Sequence, residues 1–148
     1  SKSGFSRSPQ GAALQAAPQG RSLRILLVED SPDNQVLIQS YLKNTIHRVD
    51  LADNGQIGVA KFQNGHYDLI LMDMQMPVMD GITATRTIRR WEQEQGLPAV
   101  QIIALTALAL KEESARIFEA GCDAHMTTPL HRTTLLELLL AYEKTRAQ

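Results

Sequence analysis

Short apolar runs alternate with helix-like stretches five times between Leu23 and Lys144. The first run covers 23–28. Ser31-Pro32-Asp33-Asn34 follows it and reads as an N-cap with proline at the first helical position. This helix is predicted to continue to about Lys43, with Val36, Leu37, Ser40 and Tyr41 spaced for one face. A weaker run at 47–52 predicts the second strand; Asn54-Gly55 breaks it, and 56–63 reads as the second helix. Residues 68–72 are nearly all apolar, as expected for a strand in the middle of a parallel sheet covered on both sides. The third helix is predicted over 81–95 and is ended by Gly96-Leu97-Pro98. Strand four is predicted at 101–105, helix four at 110–120 with Gly121 as a left-handed cap, strand five at 124–126 and the last helix at 131–144. That last helix carries Leu135, Leu138, Leu139 and Tyr142 on its predicted buried side.

Five strands, each followed by a helix, imply an α/β fold: an open parallel five-stranded sheet with helices on both faces. Such sheets bind ligands beyond the carboxyl ends of their strands. Glu29, Asp30, Asp73, Thr106 and Thr128 all fall just past such ends. If the first and third strands are neighbours, three carboxylates meet at one rim. Their mutual repulsion raises a pKa or is relieved by a cation. Mg²⁺ suits hard oxygen ligands: one oxygen each from Asp30 and Asp73, the backbone carbonyl of Gln75, and Glu29 through a bound water. A free oxygen of Asp73 could then attack an activated phosphoryl group in line, with the Thr106 hydroxyl and backbone N–H groups balancing charge on the equatorial oxygens.

Length and composition narrow the setting. The 148 residues suffice for one domain, and 43% hydrophobic residues can build a normal core. Residues 1–21 are rich in Ser, Gly, Ala, Gln and Pro and are expected to be a flexible linker or tail; 12–17 could form a short extra element too brief to stand alone. The folded domain is expected at 22–148. A net charge of -1, from 15 basic and 16 acidic side chains, gives no basic face and no support for nucleic-acid binding. The single cysteine, Cys122, excludes an intrachain disulfide and is expected to be a small buried residue. No run is long enough to span a bilayer, and Ser1-Lys2-Ser3-Gly4 lacks a signal peptide's apolar core. The histidines lack metal-ligand spacing. Met72, Met74, Met76 and Met79 are expected to fill core and loop, and Trp91 to pack at the edge of helix three.

The stretch from 23 to about 143 resembles the receiver domain of bacterial two-component response regulators, most of all the receivers of hybrid sensor histidine kinases. The resemblance is carried by Ile25-Leu26-Leu27-Val28-Glu29-Asp30 and by Asp68-Leu69-Ile70-Leu71-Met72-Asp73-Met74-Gln75-Met76-Pro77-Val78-Met79-Asp80-Gly81. Ile103-Ala104-Leu105-Thr106-Ala107 and Gly121-Cys122-Asp123-Ala124-His125-Met126 complete it. It implies a flavodoxin-like (βα)5 fold, phosphoryl transfer onto Asp73 from a histidine on a sensor kinase or phosphotransfer domain, and Mg²⁺ at Glu29 and Asp30. It implies also a Thr106 switch hydroxyl with His125 as the ring that rotates with it, a limited autodephosphorylation, and output through the face of helix four, strand five and helix five. A cytoplasmic setting follows, including as the cytoplasmic part of a membrane-bound kinase. The chain stops a few residues beyond its last helix, so the expected output is another protein, another domain of a parent chain, or phosphate passed onward, with no nucleic acid and no direct membrane contact.

One position departs. Thr128-Pro129 stands where the family has Lys-Pro. Threonine offers a hydroxyl but no charge, and nothing in the sequence shows that Lys111 substitutes. Leu108 is a milder departure that makes its loop more apolar. A receiver-like interaction module with weak or no phosphorylation is therefore the alternative reading. A small phosphohydrolase with an aspartyl intermediate is disfavoured, because Gln75 stands where its second aspartate belongs.

Overall fold

In a computed structural model, residues 21–107 and 110–146 are described. The expectations for 1–20 and for Leu108 lie outside them. The chain runs β1 (Arg24–Val28), α1 (Pro32–Leu42), β2 (Arg48–Ala52), α2 (Gly55–Asn64), β3 (Leu69–Asp73), α3 (Gly81–Gln95), β4 (Gln101–Thr106), α4 (Lys111–Ala120), β5 (Ala124–Thr127) and α5 (Arg132–Arg146). All four strand pairings are parallel, and the sheet order is β2-β1-β3-β4-β5.

Alternation of side chains across the strands divides the core in two. Leu26, Val28, Ile70, Met72, Ile102 and Ala104 point to the layer formed by α2, α3 and α4. Ile25, Leu27, Leu69, Leu71, Ile103 and Leu105 point to α1 and α5. β1 and β3 are interior strands buried on both faces, and each fully buried Leu or Ile contributes about 1.5–3 kcal/mol. β2 is an edge strand, which is why its sequence signal is weak.

Ser31, Gly96 and Gly121 act as read, and Asn54 and Asp80 add caps that the sequence reading did not assign. Ser31 caps α1 by accepting from the Asn34 N–H, Asn54 caps α2 and Asp80 caps α3, while Gly96 and Gly121 end α3 and α4 at positive φ. Cys122 is buried, and Trp91 stacks edge-on against Phe62 at 5.7 Å. The expected face of α1 is wrong in phase. Ile38 and Leu42 are its buried residues, Ser40 is exposed, and Val36 is 66% exposed. Three consecutive apolar residues, Val36-Leu37-Ile38, leave the period without a unique phase, and contact with the sheet and α5 decides it.

The sequence reading also missed a polar tie. His47 Nδ1 accepts the Leu23 N–H at 3.0 Å, which puts the ring proton on Nε2, 2.9 Å from Glu143 Oε2 on α5. It joins the start of β1 to the last helix at the sheet end opposite the acidic rim. His47→Ala leaves a backbone N–H and a nearly buried carboxylate without these partners. It is expected to lower unfolding free energy by about 2 kcal/mol in urea at unchanged m. A loss under about 0.5 kcal/mol, the range of an inert surface change, would contradict this.

Candidate phosphoacceptor and metal site

Register builds the site. Val28 pairs with Met72, so the residues that follow each, Glu29 and Asp73, leave neighbouring strands at the same level. One carboxylate oxygen from each of Glu29, Asp30 and Asp73 lies within 4.8 Å of the others. Octahedral ligands of Mg²⁺ stand about 3–4 Å apart, so this set fits the ion with small inward movement or with water completing a link.

The three carboxylates differ in freedom. Glu29 is 2% exposed and held: its Oε2 accepts the Ser31 N–H at 3.0 Å and its Oε1 the Asn34 amide at 3.4 Å. Gln35 fixes the same turn by donating to the Glu29 carbonyl at 2.7 Å and to Asp53 at 2.9 Å. Asp30 and Asp73 are half-buried. Asp73 Oδ1 accepts the Gln75 N–H at 3.0 Å, which orients the carboxylate. The Asp73 carboxyl is pushed up to about 8, first by burial and then by the charge and contacts of Glu29 and Asp30, with the Gln75 N–H opposing.

The loops above the next strands carry the remaining candidates. Asp73 pairs in register with Leu105, so Thr106 is one residue beyond it on the neighbouring strand, 3% exposed. Thr128 donates its N–H to the Thr106 carbonyl at 2.9 Å, which holds the loop after β5 against the end of β4. Lys111 is exposed at the first turn of α4. His125 packs edge-on against Phe118 at 5.6 Å, and its Nε2 is 3.5 Å from Ser114 Oγ. Sequence reasoning assembled the acidic trio and the Thr106 level. It missed the bracing by Ser31, Asn34 and Gln35, whose only visible signal was an N-cap.

The raised Asp73 pKa has a consequence for stability. Asp73 is protonated in the folded chain and ionised in the unfolded chain between about 4 and about 8, so without divalent cations stability falls as pH rises through this window. Asp73→Asn removes the effect. Solvent screens this half-exposed group and leaves roughly 2 kcal/mol of the effect, so in chelator-containing buffer the Tm of the variant should exceed wild type by roughly 6 °C at pH 8 and by little at pH 4. A difference independent of pH would contradict the carboxylate account.

Comparison with known proteins agrees with this geometry. The response regulator receiver domain profile matches residues 25–140. The sensor histidine kinase GacS of Pseudomonas protegens is 37% identical over 122 residues, 82% of this chain and 13% of GacS. Across the curated relatives compared, the chain spans between 4% and 15% of their length. The receiver domain of sensor histidine kinase PA1611 from Pseudomonas aeruginosa, solved with a magnesium ion in its active-site cleft, superposes with a TM-score of 0.74. It is 38% identical, covering 84% of this chain and 99% of that one. The receiver of Saccharomyces cerevisiae Ssk1, solved with the phosphotransfer protein Ypd1, gives a TM-score of 0.82 at 30% identity, covering 86% of this chain and 92% of that one. The parallel sheet, the acidic rim and these relatives together make this chain a member of the response regulator receiver domain family.

Proposed function

We propose that this domain takes a phosphoryl group from a phosphohistidine onto Asp73 in a two-component phosphorelay. The observation that carries the reading is the convergence of Glu29, Asp30 and Asp73 at the ends of β1 and β3. Asp30, Asp73 and the Gln75 carbonyl would hold Mg²⁺, with Glu29 braced to reach it directly or through water. Bound there, the ion would supply positive charge beside the phosphoryl oxygens. A free Asp73 oxygen attacks phosphorus in line, forming a P–O bond as the P–N bond to the donor histidine breaks. The bonding pair stays on the ring nitrogen, which becomes an acceptor for a proton. The Gln75 N–H keeps the other carboxylate oxygen oriented. The acyl phosphate adds charge and acceptor oxygens at the level of Thr106, whose hydroxyl would turn toward it and move the loop before α4.

The donor in this reading is a sensor histidine kinase or a histidine phosphotransfer domain, which the likeness to GacS and to Ypd1-bound Ssk1 supports. The domain would work on the cytoplasmic side as part of a larger signalling protein. No helix among the described residues is long and apolar enough to cross a membrane. Thr128 supports a second reading, an interaction module with little phosphorylation, because no fixed ammonium stands at that position.

Two measurements decide between them. With acetyl phosphate and Mg²⁺, intact mass should rise by one phosphoryl group in wild type and not in Asp73→Asn; an unmodified wild type would favour the interaction module. Thr128→Lys places a positive charge near the phosphoryl oxygens and should raise the phosphorylation rate at limiting Mg²⁺ by roughly three- to tenfold, about 1 kcal/mol, so that the rate depends less steeply on Mg²⁺. Identical Mg²⁺ titrations would remove Thr128 from the electrostatics of the site.

A further inference from the structure

The loop after Asp73 is held from both sides. Met74 donates its N–H to the Leu105 carbonyl at 3.0 Å, Gly81 donates back to Met74 at 3.3 Å, and Gly55 at the start of α2 donates to Met79 at 3.2 Å. Met74 is buried, while Met76 and Met79 pack against the core. Between these anchors the Met79 N–H reaches the Pro77 carbonyl at 2.8 Å, and Val78, the residue between, has φ 71°. That is the rare, strained form of the three-residue turn. Glycine or asparagine tolerates such a φ; a β-branched side chain is a conformational outlier there. Val78 is the sole non-glycine residue with positive φ among the described residues, and it is 75% exposed. Its methyl groups gain little packing inside the domain to offset the strain.

The position of Val78 suggests what meets it. This argument rests on the phosphohistidine reading above. In-line transfer brings the donor protein directly over Asp73. A specific interface covers about 800 Å² on each partner, a disc of about 16 Å radius. Five residues of fully extended chain reach at most about 17 Å, and this loop doubles back on itself. Val78 thus falls within the footprint of a donor centred on Asp73. We propose that Val78 is a specificity residue for the protein donor: a rigidly presented apolar contact that meets an apolar side chain beside the phosphohistidine. A small phosphodonor makes no use of it.

The test uses the 148-residue chain with Val78→Gly and Val78→Asn, which both accept positive φ and lack the branched side chain. Phosphorylated Ypd1 serves as the protein donor and acetyl phosphate as the small one. Both variants should raise Tm by about 4 °C as strain is released. The second-order rate constant from phospho-Ypd1 should fall at least fivefold more than the rate with acetyl phosphate. Equal slowing with both donors, undiminished transfer from phospho-Ypd1, an unchanged Tm, or wild-type transfer from acetyl phosphate alone would overturn the proposal. Acceptance from neither donor by wild type would instead overturn the underlying reading of Asp73, and this one with it.

Discussion

Electrostatic repulsion among three carboxylates organises this molecule's working end. It arises from backbone geometry. Parallel pairing of Val28 with Met72 delivers Glu29 and Asp73 at one level, and Asp30 follows immediately. Residues 25–28 and 69–72 are buried behind them, so the acidic groups cannot move apart without disturbing the centre of the sheet. The fold therefore holds a charge cluster that water alone screens poorly. Burial first, and the neighbouring Glu29 charge after it, raise the Asp73 pKa, and a divalent cation is the natural relief for the ionised trio.

Rigidity and responsiveness are separated in space. The Glu29 carboxylate is braced by Ser31 and Asn34, and Asp73 is aimed by Gln75, so the acidic end of the site is built in advance. The neighbouring β4 and β5 ends are linked through Thr106 and Thr128 at the backbone. A new charge on Asp73 would act on this adjoining edge while the buried interior of the sheet stays fixed. Thr128 leaves that edge without a lysine ammonium, so more of the charge balance would fall on the cation and on N–H donors.

Much of this was legible in the residues. Buried strands advertise themselves by unbroken apolar runs, which is why 23–28, 68–72 and 101–105 gave strand positions, parallel character and the carboxyl-end site together. Ser31 and Gly121 act locally, so their capping roles do not depend on distant contacts. Tertiary decisions were harder to see. The rotation of α1 followed from packing against α5 and the sheet, where Val36, Leu37 and Ile38 looked interchangeable. The His47–Glu143 pair spans 96 positions, and no local pattern marks it. The positive φ of Val78 runs against its own residue preference, so only the surrounding anchors reveal it.

The central claim is that the acidic rim binds a hard divalent cation between β1 and β3. Substoichiometric Mn²⁺, a paramagnetic stand-in for Mg²⁺, tests it directly by NMR relaxation. The account predicts amide broadening centred on Glu29, Asp30 and residues 73–75, fading toward His47 and Glu143 at the opposite end of the sheet, and reversed by excess Mg²⁺. Broadening centred elsewhere, or none at millimolar Mn²⁺, would contradict it.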